Sequence, residues 1–207
     1  MLTEQQWNAF KAQFPHDQRM QAVSYDELLS NTNGGKVNWA SPPTVHLPGA
    51  DNEFFSVAGV TVSDCELDIG YVIFDVVCLA IGAVGLRASV TSSTAEAVAA
   101  AAKPVLSQLE AAIAKMAAPG ASKVDLATGA FTILRTIWSG NCLGAVVSAF
   151  VGSLTWYTML LYAATAMGTI VAALATDGAA FVAEVVIELA TFGFLVSDSV
   201  KAYEACS

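Results

Sequence analysis

Four cysteines, Cys65, Cys78, Cys142 and Cys206, are the side chains of this chain best suited to covalent chemistry. Gly140-Asn141-Cys142-Leu143-Gly144 has the G-x-C-x-G spacing of a nucleophile elbow, in which a sharp turn exposes an attacking sulfur or oxygen. Such a cysteine needs a histidine base that reaches it. The two histidines, His16 and His46, both precede Cys142 and sit in the polar start of the chain, whereas the elbow fold places its base after the nucleophile. No enzyme is therefore expected. No Cys-x-x-Cys pair marks a zinc site, and no glycine-rich phosphate loop occurs. Asp64, Asp68 and Asp75 share a helix and do not form a calcium loop. Neither a metal nor a cofactor is expected.

The same cysteines allow a structural role. Within one straight helix Cys65 and Cys78 stand roughly 20 Å apart at about 1.5 Å per residue, beyond the ~6 Å Cα separation of a disulfide. Cys65 opens the first long helix and Cys206 closes the last, so antiparallel packing of those helices brings the two to one level. If a disulfide forms, Cys65–Cys206 is the expected pair. The alternative is four free thiols in a reducing cytoplasm, which the sequence favours because no secretory signal peptide is legible. Met1 to Trp7 has neither a basic region nor an apolar core of that type. A cytoplasmic protein that becomes membrane-associated after release is expected, the alternative being an integral membrane protein.

Composition narrows the class. Of 207 residues 55% are hydrophobic and 13% charged, with mean hydropathy +0.57 and net charge −9. An ordinary soluble domain carries about 25% charged residues. Disorder, a coiled-coil rod and a basic nucleic-acid binder are all excluded, and no nucleic-acid partner is expected because −9 repels phosphate.

Helix start and stop signals predict an all-α fold: a multi-helix bundle around or including an uncharged hydrophobic hairpin, preceded by a short polar segment of mixed or irregular structure. The boundary falls at 62/63. Residues 1–62 show two capping pairs, Thr3 with Gln6 and Ser24 with Glu27, then turn and extended chain. Residues 63–207 are apolar and helical. Ser63 with Glu66 opens a helix running to about Ala88, and Ser93 with Glu96 opens a second, which Pro104 divides and Pro119-Gly120 ends. Ser122 with Asp125 starts a third, ending near Ser139-Gly140, and Asp177 caps a last helix reaching almost to Cys206.

Residues 136–176 contain no Asp, Glu, Lys or Arg. A membrane span needs about 20 apolar residues, so segment 137–176 has length for one span or a tight hairpin turning near Trp156 and Tyr157, residues suited to an interface. Gly144, Ser148 and Gly152 form a small-residue stripe on one arm. Ala164, Gly168 and Ala172 form another, as close helix pairing in lipid requires. The flanking helices carry narrow acidic stripes: Asp64, Asp68 and Asp75 on the first, and Asp177, Glu184, Glu188 and Asp198 on the last. Each stripe is expected to face water, outside a bundle or in the lumen of a membrane assembly.

In layout alone, helices sheltering an uncharged hairpin resemble the pore-forming domains of colicins. This chain has fewer lysines, and its hairpin lies further from the C-terminus. The expected function is a membrane-active helical protein: an amphitropic pore-forming or membrane-disrupting toxin that inserts 137–176. Its expected partners are a lipid membrane and copies of itself within it. One alternative is a constitutive multi-pass membrane protein with spans near 67–86, within 137–176 and near 179–197. Another is a non-enzymatic, self-assembling structural protein.

Overall fold

Side-chain caps open the helices that begin at Asp64, Ser92 and Lys123 in the computed structural model, which describes residues 3–12, 21–26, 29, 62–80, 90–143, 145–146, 149, 178–189 and 193–207. The described residues are 82% helical, and no strand occurs among them. The fold is all-α to that extent. Helix α1 spans Glu4–Lys11, and its Trp7 is fully buried with the indole N–H donating to the Val23 carbonyl at 3.3 Å.

Helix α2, Asp64–Ala80, starts from the capping box expected at Ser63. The Glu66 N–H donates to Ser63 Oγ at 3.2 Å, and the Ser63 N–H donates to Glu66 Oε2 at 2.8 Å. Helix α3, Ser92–Ala102, is capped by Thr91 and not by Ser93: the Thr94 N–H donates to Thr91 Oγ1 at 3.3 Å, while Ser93 lies inside the first turn. Pro104 lacks the N–H an α-turn requires, and a 3₁₀ turn at Lys103–Val105 separates α3 from α4, Leu106–Ala117. Ala118 turns extended (ψ 136°) before Pro119, which ends α4.

Helix α5, Lys123–Ser139, starts at the Ser122–Asp125 capping box. It ends in a Schellman motif. Asn141 adopts φ 57°, its N–H donates to the Trp138 carbonyl at 3.0 Å, and the Cys142 N–H donates to the Ile137 carbonyl at 2.9 Å. Residues 137–139 therefore belong to the last turn of α5 and not to a hairpin arm, and the chain changes direction at Asn141.

The expected single last helix is two: α6, Ala179–Glu188, and α7, Phe194–Cys206. They serve different neighbours. Phe181 and Val185 of α6 and the Leu189 that follows it are buried, and that helix packs chiefly on α5; Leu195, Asp198, Ser199 and Ala202 of α7 are buried, and that helix lies on α2 and α4. One straight helix cannot meet both surfaces, and Gly193, with open space around it, precedes α7. The continuous helix that a span near 179–197 requires is absent.

At the centre stands α2. From Ile69 to Ala80 every residue except Tyr71 is buried, and α2 touches α3, α4, α5, α6 and α7. A helix apolar around nearly its whole circumference has to be covered on several sides. Gly70 permits a close crossing, since a β-carbon there would collide with the Ala95 carbonyl oxygen on α3. Helix α5 meets α6 where Gly178 (φ 79°) leaves space for the Phe131 ring, whose centroid lies 6.0 Å from that of Phe181.

Candidate functional site

The small-residue and interfacial positions Gly144, Ser148, Gly152, Trp156, Tyr157, Ala164, Gly168 and Ala172 lie outside the described residues, as does Asp177. Glu184 and Glu188 fall on α6, with their side chains outside the description. The near flank of the uncharged run is described, and it is interior: Ile137, Cys142, Leu143 and Val146 are 5% exposed or less and belong to the main apolar cluster.

The acidic stripes do not both face water. Asp64 is exposed and Asp68 half-buried, but Asp75 is 0% exposed and Asp198 4% exposed. Helical spacing told which residues share a face; it did not tell that part of each acidic face is buried. Where the two helices meet, Lys201 Nζ lies 3.3 Å from Asp198 Oδ1. Burial pushes the Asp68 carboxyl above the usual carboxylate range; Lys201 pulls it back, while Asp198 and Asp64 add to the rise. At the start of α2, by contrast, the Ser63 backbone N–H holds Glu66 below that range, helped by Lys103 Nζ at 3.4 Å.

The Asp68 shift has a sign that can be tested. A carboxyl with a folded-state pKa above its unfolded value binds its proton more tightly when folded. Stability is then lost as pH rises through the folded value and recovered below the unfolded value near ~4. Asp68→Asn is expected to melt at higher temperature than the parent at pH 7, with the gain disappearing at pH 3. An equal gain at both pH values would exclude the charge as its cause.

Cys65 and Cys206 are joined in a disulfide, with Cα atoms 4.8 Å apart. Antiparallel packing of α2 and α7 accounts for it, because Asp68 and Ile69 meet residues 198–202 as one chain rises and the other falls. Cys78 and Cys142 are free and buried. The Cys142 thiol donates to the Gly140 carbonyl at 3.2 Å, and burial pushes its pKa up, the opposite of an activated nucleophile. Among the described residues no group of three His, Cys, Asp or Glu side chains could hold a metal ion.

Beside Cys206 a cleft of about 280 Å³ opens between α2, α4 and α7, walled by Ile69, Ile113, Ala114, Ala202 and Tyr203, with Glu110 at its edge. Sequence reading missed this cleft and Lys201. The cleft is assembled from three helices far apart in the chain, so no local pattern marks it. Lys201 did carry a signal, its i+3 spacing from Asp198. No protein family, curated protein or solved structure matches this chain.

Proposed function

We propose that the chain is an amphitropic, membrane-active helical protein of the pore-forming or membrane-disrupting kind. It forms a helical bundle around or including the uncharged hairpin, and delivers the segment beyond Asn141 to a lipid bilayer. The observation that carries this reading is the run 136–176, with no formal charge, in a chain already poor in charge. Burial of its near flank at Leu143 and Val146 supports a soluble form in which the run starts inside the fold. The disulfide suits oxidising surroundings, so the site of action lies outside a reducing cytoplasm. Ile187, Phe194 and Val196 are 75%, 53% and 42% exposed, apolar surface suited to association between copies. No catalytic step is assigned.

A constitutive multi-pass protein is the second reading. Among the described residues one helical stretch, 92–117, is long and apolar enough to cross a membrane by length and composition, and the turn at Pro104 divides it.

Dye release from phosphatidylcholine vesicles, with and without an anionic lipid, tests the proposal. The parent is expected to release dye at micromolar protein. Gly168→Arg and Ala164→Arg are each expected to slow release at least tenfold, because a cation at the bilayer centre costs about 2.5–3.5 kcal/mol or more. Far-UV circular dichroism should stay helical. Leakage that survives both substitutions would remove the hairpin as the inserting element.

A further inference from the structure

The two ends of the Cys65–Cys206 bond are unequal. Cys65 is half-buried in the first turn of α2, whereas Cys206 is exposed at the end of α7 and lines the cleft between α2, α4 and α7. An incoming thiolate therefore meets Cys206 first. The sulfur then expelled, Cys65, sits among the unpaired N–H groups of a helix N-terminus, which favour a thiolate. Asp64 opposes this, but the charge of Glu66 is engaged by Lys103 and by the Ser63 N–H. A better leaving thiolate leaves faster.

We propose that Cys206 is a thiol-exchange site and that the bond is a removable latch holding α7 on α2, opened by a cysteine-containing peptide thiol or a protein dithiol. The attacking thiolate bonds to Cys206 Sγ as the Cys65–Cys206 bond breaks. The electron pair leaves on Cys65 Sγ, which takes a proton from water. A second thiol then attacks the reductant's own sulfur in the mixed disulfide and frees Cys206, which is protonated in turn. Two thiols are oxidised to one disulfide, and the protein's disulfide gains their two electrons and two protons.

Once the bond is open, α7 is held by side-chain contacts alone. Its buried face mixes Leu195 and Ala202 with Asp198 and Ser199, and the pull of Lys201 on the Asp68 carboxylate is partly offset by repulsion from Asp198. Helix α7 is thus the element released, and lifting it uncovers apolar residues of α2. The latch acts on the soluble fold whether or not the chain enters lipid.

Glutathione is the probe. The full chain is incubated with reduced glutathione, quenched in acid and digested, and the adduct is located by peptide mass. Amide hydrogen exchange is followed in parallel. Glutathione is expected on Cys206, with Cys65 free, in at least tenfold excess over the reverse adduct. Exchange is expected to rise within 194–206 at least tenfold more than within 123–139, where any rise reports the lowered global stability. The double variant Cys65→Ser/Cys206→Ser should show the same local exchange pattern without any thiol. Adducts shared equally between the sulfurs, or exchange that rises equally in 194–206 and 123–139 or in neither, would overturn the latch.

Discussion

Replacing Cys65 and Cys206 together by serine is expected to lower the unfolding free energy by about 5 kcal/mol. The bond closes a loop with sequence separation 141, and removing a cross-link of that length restores about this much chain entropy to the unfolded state. Domains are typically stable by only about 5–15 kcal/mol, so the loss is a large share of the whole. For a chain of this size it corresponds to a fall of roughly 10–20 °C in melting temperature. Paired denaturant melts of parent and variant, both without reductant, measure it. A difference below about 1 kcal/mol would mean that the unfolded chain already keeps these ends close.

Gly70→Ala should destabilise by about 2 kcal/mol, although glycine-to-alanine in a helix interior otherwise gains close to 1 kcal/mol. The new methyl group would run into the Ala95 carbonyl oxygen, and backbone on a packed helix cannot step aside alone. Gly129→Ala is the control. Its methyl group would meet Cγ and Sδ of the buried Met116, a side chain that can change rotamer where backbone cannot, so a smaller loss is expected there. If the two variants melted together, α2 and α3 would not cross closely at Gly70.

The parts of this fold legible in the sequence are those decided within a few residues. Ser63 with Glu66 and Ser122 with Asp125 each satisfy orphan N–H groups three positions away, and Pro104 and Pro119 remove donors where they stand. Thr91 displaced Ser93 as a cap because both can accept, and the choice turns on the entry angle of the chain. The division into α6 and α7 has no proline to announce it; two packing surfaces on different helices impose it. The burial of Asp75 and Asp198 was illegible for a related reason. A helical wheel orders residues around an axis but carries no information on which neighbour will cover them. Cys65–Cys206 was within reach because it needed one topological assumption, antiparallel first and last helices, and the rest was geometry.

Placing α2 at the centre and α7 across it has a consequence for biosynthesis. Cys65 leaves the ribosome 141 residues before Cys206, which at about 5–20 residues per second is an interval of roughly 7–28 s. Throughout it the face of α2 that α7 will cover stays open, next to an emerging chain that is itself strongly apolar. That face is open to aggregation until translation of α7 is complete, and pairing of Cys65 with Cys206 has to wait for the same event.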